Sequence, residues 1–335
     1  LLAPVKNAGI DLALRTVERL QGAAAEPVSV DASSVYITLS AGFCLERRAP
    51  TRSGSAMLSA AETALGEARI VGEGAVRAFS SEMRNRAEQR QTLAEDLARA
   101  LDEGDIVAWF QPQVSARTGR VTGMEALARW QHPRHGLIPP ADFLPVAEAG
   151  GLIERLGETM LFQGLSALRT WDREGLRVPQ VGVNFSPAEL RNPKLVNRVK
   201  WELDRFDLSP DRLAVEVLET VVADTGNDTI SSNIAGLASL GCSIDLDDFG
   251  VGAASISNIR RFAVSRIKID RSFVTRLDVD PAQKRMVDAL LSMAAKLDLE
   301  TLAEGVETQA EYRVLDEMGC GHIQGCLLYT SDAAD

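Results

Sequence analysis

Cysteine, histidine, lysine and aromatic side chains are all scarce in this chain, and each shortage removes a class of function. Four cysteines (Cys44, Cys242, Cys320, Cys326) in 335 residues form no CxxC pair and no disulfide framework, so a reducing compartment is expected. Acids outnumber bases 47 to 36, for a net charge of −11 and a pI of about 5.0. No basic face for DNA or RNA is expected from that balance. No run approaches the ~20 apolar residues of a membrane-spanning helix, so no span is expected in this stretch. The opening LLAPVKNAGIDLAL has neither a basic start nor a small-residue cleavage site. It reads as the interior of a longer protein, and a cytoplasmic location is expected for this part of it. Lysine is outnumbered by arginine 30 to 6, which makes each lysine worth following.

What is present is ordinary globular composition, 45% hydrophobic and 25% charged, in a length that predicts about two domains. The alternating VYITLSAGF at 35–43 predicts a strand, and the Ala/Leu face of 55–71 predicts a helix. A charged amphipathic helix follows over 82–103, and its first turns, near residue 83, mark the expected domain boundary. Beyond it, β-rich segments recur at 106–111, 121–128, 181–185, 213–218, 243–247, 266–269, 300–304 and 320–324. Helical patterns lie between most of them, as at 152–172, 228–240, 283–297 and 308–318. Strands alternating with helices at this count favour a (βα)8 barrel over an open doubly wound sheet.

Barrel enzymes place their chemistry at the C-terminal ends of the strands. Those ends carry Asn184, Glu216, Asp247, Asp248, Lys268, Glu304 and Gln324, and Glu125 sits inside the second strand. Five carboxylates at one mouth repel one another, and Lys268 supplies one positive charge. Two divalent cations would bring the cluster to about neutral, and oxygen donors with one amide suit Mg²⁺ or Mn²⁺. None of the three histidines, His132, His135 and His322, falls at a strand end, which argues against zinc. Successive strand residues point to opposite faces, so Asp247 and Asp248 reach one site only if the strand ends there. A paired-metal site points to phosphodiester hydrolysis. Taken singly, each feature has a plainer reading: a strand-end Glu as a cap, Asp247–Asp248 as turn chemistry before Gly250, Lys268 and Asp270 as a local ion pair. Acids ending several successive strands resist that treatment, because stability alone does not place them there.

The ordered motifs IVAWFQPQVSARTGRVTGMEALARW (106–130), NFSP (184–187), EVLET (216–220), DDFG (247–250), IKIDRSFV (267–274), AEGVE (303–307) and GCGHIQG (319–325) resemble the EAL domain, the cyclic di-GMP phosphodiesterase family. The resemblance covers about residues 90–325. It implies a TIM-barrel-like α/β fold with an antiparallel first strand, and hydrolysis of cyclic di-GMP to linear pGpG with two Mg²⁺ or Mn²⁺ ions. The family's metal ligands match Glu125, Asn184, Glu216, Asp247 and Asp248. Lys268 matches the lysine at the nucleophilic water, and Glu304 the acid that helps organise water there. Gln111, Arg129 and Gln324 match substrate-contacting positions, and Glu219 matches the acid anchoring the loop after DDFG. Homodimerisation through this domain is implied as well.

The loop after DDFG departs from the family's TGYSSL-like pattern and reads VGAASI, with Val251 in place of a hydroxyl and Ala253 in place of an aromatic. That change leaves the ligands intact and motivates an alternative reading, a catalytically weak receptor or interaction module for cyclic di-GMP. A barrel enzyme acting on another phosphate ester is a more distant alternative. Residues 1–82 resemble the C-terminal half of a GGDEF domain, through VYITLSAGFCL and AAETALGEAR, without that domain's signature turn. No diguanylate cyclase activity is therefore expected. After Gly325 the run CLLYTSDAAD resembles the translation of a sequencing-library adapter, so residues 326–335 are expected to be non-native and closure of the last strand compromised.

Overall fold

The structure, a computed structural model, describes residues 9–30, 33–223, 228–252 and 256–327. The chain divides into two compact units, Leu1–Glu95 and Asp96–Asp335. None of the described helices is long and apolar enough to cross a membrane.

The first unit contains helix α1 (Ile10–Ala24), strands β1 (Val28–Val30), β2 (Ser33–Val35) and β3 (Ala41–Phe43), helix α2 (Gly54–Val71), strand β4 (Val76–Ala78) and the start of helix α3 (Ser81–Glu103). Strands β1 and β2 pair antiparallel, and β3 and β4 pair parallel. Ser53 caps α2 by accepting from the Ala56 N–H at 3.2 Å. Helix α2 lies so close on β3 that a Cβ on Gly42 would sit 2.1 Å from the Leu65 nitrogen. The segment expected as one strand over 35–43 is strand only at its two ends. Tyr36, Ile37 and Leu39 between them are exposed, and no described strand pairs with them. A strand needs a partner for its backbone groups, and alternation alone does not supply one.

The second unit is the barrel. Strands β5 (Ile106–Ser115) and β6 (Val121–His132) form a long antiparallel pair, and the short strand β7 (Gly136–Ile138) folds back on β6 as a hairpin. Helices α4 (Pro140–Ala149) and α5 (Ile153–Arg173) lead to β8 (Val181–Asn184). Then follow α6 (Pro187–Leu190), α7 (Leu195–Phe206), β9 (Leu213–Leu218), α8 (Glu219–Ala223), α9 (Asp228–Leu240) and β10 (Ser243–Phe249). The chain ends with α10 (Ile256–Arg261), β11 (Arg266–Ile269), α11 (Arg271–Val274), α12 (Pro281–Lys296), β12 (Glu300–Ala303), α13 (Gln309–Glu317) and β13 (His322–Ile323).

Hydrogen bonding runs β5-β13-β12-β11-β10-β9-β8-β6 and closes from β6 back to β5. Strand β5 is antiparallel to both neighbours, and the other barrel pairs are parallel. Closure holds through β13, which pairs on both sides over only two residues, His322 and Ile323.

Period-two alternation sorts the strand residues. Ile269, Ala303 and Ile323 face outward and pack with Val287, Leu291 and Leu315 of the surrounding helices. On β5 the even-numbered side is outward too, where Phe110 meets Trp171 of α5 edge-on at 4.9 Å. The opposite set points into the barrel and is polar: Gln111, Gln113, Glu125, Glu216, Asp245, Asp247, Arg266 and Lys268. Caps fix the connecting helices. Thr308 and Glu311 form a capping box on α13, Ser186 and Glu189 form one on α6, and Asp280 caps α12 ahead of Pro281.

Candidate active site

Lys268 is the centre of the barrel mouth. It projects inward from β11, is completely buried, and its Nζ lies 2.7 Å from Glu304 Oε1, 2.8 Å from Glu216 Oε2, 3.1 Å from Asp247 Oδ1 and 3.4 Å from Glu125 Oε2. Four elements therefore deliver four carboxylates to one ammonium: β6, β9, β10 and the residue that follows β12. Asp270, two residues on, instead caps α11 by accepting from the Ser272 N–H. The local ion pair that Lys268 and Asp270 could have formed is not what the structure contains.

Asp248 reaches the same mouth by a backbone device. Its φ is +54°, and the register of β10 against β11 shifts between Leu246 and Phe249. The strand does not end after Asp247; it bulges, and the left-handed residue turns the second acid towards the first. The Asp248 N–H donates to Asp247 Oδ1 at 3.0 Å. Oxygens of Asp247, Asp248 and Glu304 all lie within 4.8 Å of one another.

Amides complete the lining. Asn184 donates to Glu125 Oε1 at 2.9 Å, and Gln324 donates to Glu125 Oε2 at 2.5 Å and to Gln111 Oε1 at 3.0 Å. Gln113, one layer deeper, donates to Gln324 Oε1 at 3.0 Å. Glu219, at the start of α8, accepts from the Gly250 and Gly252 N–H groups, both at 2.9 Å, and so ties down the chain just after DDFG. Val251 between them is exposed. Ala253 lies outside the described residues, as do Tyr329, Asp332 and Asp335 in the tail. Arg129 stands apart from the acids: it donates to the Ala128 carbonyl and lies over the Trp109 ring, 5.4 Å from its centroid.

Electrostatics show how unbalanced the mouth is. Burial pushes the Glu216 carboxyl well above its ordinary range, and the charge of Glu125 adds to that. Burial also lifts Glu304 to about 7, against the pull of Lys268. Asp248 is raised by burial and then by Asp247. Glu125 goes the other way. Burial opposes its ionisation, but Lys268 and the hydrogen bonds from Gln324 and Asn184 outweigh burial and hold it low. Burial works against the Lys268 charge, yet Glu125 and Glu216 hold its pKa well above the ordinary value. One ammonium does not neutralise five carboxylates, so the cluster takes up either protons or further cations.

The residues fit cations. The donors are all oxygens, the hard set that Mg²⁺ or Mn²⁺ selects. Glu216 Oε1 is buried and finds no hydrogen-bond donor among the described residues, so it is an acceptor available inside the cluster. Gly182 leaves space beside it: a Cβ there would lie 2.1 Å from that oxygen.

Sequence reasoning missed Gly182, Gln113, Trp109 and the Asp245–Arg266 ion pair. The pair was legible, because Asp245 and Arg266 stand two residues before Asp247 and Lys268 and so share their faces. Gly182 likewise stands two residues before Asn184. Its role depends on Glu216 of the next strand, which no local pattern shows.

Comparison with known proteins places the chain as a whole. The EAL domain family model matches residues 94–330. The bifunctional diguanylate cyclase/cyclic di-GMP phosphodiesterase MucR of Pseudomonas aeruginosa is 34% identical over 311 residues, covering 93% of this chain and 45% of MucR. The cyclic di-GMP phosphodiesterase PdeR of Escherichia coli is 33% identical over 302 residues, covering 90% of this chain and 45% of PdeR. The chain thus spans less than half the length of these relatives. Among solved structures, the P. aeruginosa MucR phosphodiesterase in complex with c-di-GMP superposes with a TM-score of 0.67 at 38% identity, covering 71% of this chain and 96% of that one.

Proposed function

The chain belongs to the EAL domain family, and on that footing we propose that it hydrolyses cyclic di-GMP to linear pGpG with two divalent ions, Mg²⁺ or Mn²⁺. The observation that carries this reading is the buried Lys268 ringed by Glu125, Glu216, Asp247 and Glu304, with Asp248 turned in beside them. A receptor has less need of so many buried acids around one lysine. Glu125, Asn184, Glu216, Asp247 and Asp248 would hold the ions. When bound, such ions activate water and stabilise the charge that develops on the phosphate oxygens.

The chain's own residues do the rest. Lys268 stays an ammonium among its carboxylates, and from there it would orient the attacking water by hydrogen bonding. Glu304, whose Oε1 lies 2.7 Å from Lys268 Nζ, is the carboxylate placed to take a proton from that water. The water oxygen bonds to phosphorus, the P–O3′ bond breaks, and the 3′-oxygen leaves with a proton. Gln111, Gln324 and Arg129 line the approach, and an acidic protein binding a dianion depends on such local groups against its overall field. Glu219 fixes the chain that carries Asp247 and Asp248.

Residues 1–82 are proposed to be the C-terminal half of a GGDEF domain. A relative named as a bifunctional cyclase and phosphodiesterase aligns over 93% of this chain, and so over most of that region, which supports the reading. The tail 326–335 is proposed to be foreign to the domain.

The test is incubation of the chain with cyclic di-GMP and Mg²⁺ or Mn²⁺, with chromatographic separation of products. Linear pGpG from the parent, lost in Glu125→Ala and on chelation, is the expected result. An uncut nucleotide under both metals would overturn the proposal.

A further inference from the structure

We propose that Trp109 is a stacking platform for one guanine base of the nucleotide, an inference that rests on the phosphodiesterase reading above. Trp109 lies on β5, two residues before Gln111, and so on the same inward face. Gln111 is paired directly with Glu125 across the β5–β6 ladder, and Trp109 is paired with Leu127. The indole therefore stands one step rimward of the acid cluster, on the wall of the barrel mouth.

Its exposure is out of keeping with that position. Trp109 is 49% exposed, whereas Trp130 on β6 is completely buried. An indole left half-open at a mouth that otherwise presents carboxylates and amides keeps apolar aromatic surface within reach of a ligand. A purine is the matching chemistry: flat, aromatic and indifferent to the acids that repel its phosphates. Arg129 braces the ring by cation–π contact, its guanidinium 5.4 Å from the centroid and tethered to the Ala128 carbonyl at 2.8 Å. The arrangement puts a base-binding surface and a cation beside the acids that would hold the ions, which is the order in which a nucleoside and its phosphate follow one another.

The plainer alternative is an exposed tryptophan with no ligand, and the two separate by experiment. Initial rates of cyclic di-GMP hydrolysis are measured for the full chain, Trp109→Ala, Trp109→Phe and, as a control, Trp201→Ala on the exposed side of α7. Loss of a base-stacking partner is expected to raise KM about 5- to 100-fold in Trp109→Ala, with a smaller change in kcat. Trp109→Phe recovers most of the lost affinity, and Trp201→Ala leaves KM as in the parent. Tryptophan emission recorded with excess nucleotide is quenched in the parent and in Trp201→Ala, and the quench is lost in Trp109→Phe. A folded Trp109→Ala protein with KM within about twofold of the parent overturns the inference and leaves the phosphodiesterase intact. A parent that neither binds nor cuts cyclic di-GMP overturns both.

Discussion

Two charged layers lie one above the other inside the barrel, and they follow opposite rules. In the lower layer Asp245 of β10 faces Arg266 of β11, one acid to one base, both essentially inaccessible. Arg266 Nε donates to Asp245 Oδ2 at 2.9 Å, and a second, shorter contact joins Nη2 to the same oxygen. Two residues further along the same strands, Asp247 faces Lys268, and here Glu125, Glu216 and Glu304 crowd in as well. The lower layer is balanced in charge, and the upper one is not. A balanced buried pair is at best neutral for stability compared with apolar residues of the same size. An unbalanced cluster costs stability, and it persists where a ligand completes it. The contrast separates scaffold from site without reference to any relative.

The sharpest way to break that contrast is to perform one operation on both layers. Replacing Glu216 and Lys268 together by Leu and Met should lower hydrolysis about 10³-fold or more, the scale of several kcal/mol of transition-state stabilisation. Replacing Asp245 and Arg266 together by Leu and Met should leave a folded protein that still hydrolyses the nucleotide. Arg266→Met alone should cost about 3–5 kcal/mol in denaturant unfolding, because it strands a buried carboxylate. Loss of hydrolysis in a well-folded lower-layer double variant would show that both layers take part in the chemistry.

Glu189 sharpens the comparison from outside both layers. It is buried in the capping box of α6, where its carboxylate accepts from the Ser186 N–H and hydroxyl. Burial lifts its pKa to about 7, against those hydrogen bonds. A carboxyl raised from about 4.5 to about 7 binds its proton more tightly folded than unfolded. Its contribution is therefore complete below pH ~4.5, falls as pH rises to about 7, and is flat beyond. The full difference is on the order of 3 kcal/mol. Glu189→Gln keeps an acceptor for Ser186 and should flatten that part of the stability profile between pH 5 and 7, read by urea titration at each pH. An unchanged slope would mean that Glu189 is not the group responsible.

The smallest expected effect concerns the space beside the upper layer. Gly182→Ala puts a methyl where Glu216 Oε1 now sits. We expect hydrolysis to fall about 10- to 100-fold through a weaker metal requirement curve, the range seen when groups that orient metal ligands are disturbed. Titration of activity against Mn²⁺ reads this directly. An unaltered curve would remove Gly182 from the account of the site.

Much of this was legible beforehand, and the misses have physical causes. The eight barrel strands and their order of acids follow from alternation and from the rule that strand ends carry chemistry. The antiparallel entry of β5 came from resemblance, since periodicity has no direction. The β6–β7 hairpin is not legible, because the polar run at 131–136 (QHPRHG) looks like an ordinary loop until β7 pairs back on β6. The strand expected over 35–43 failed for the converse reason: its pattern is β-like, but pairing is decided by distant chain.

The sequence by itself determined which groups are available: five acids, one lysine and three amides in or just after β-rich strands, in a chain short of histidine and of net positive charge. Those choices fix the chemistry that is possible, because donor type and charge are properties of residues. Only the tertiary structure decided that four of the acids meet on Lys268, that the left-handed backbone at Asp248 turns the fifth towards them, and that Gly182 leaves Glu216 its room. Each of those depends on the register between strands far apart in the chain. Register is set by barrel closure, in which every strand must satisfy both neighbours at once.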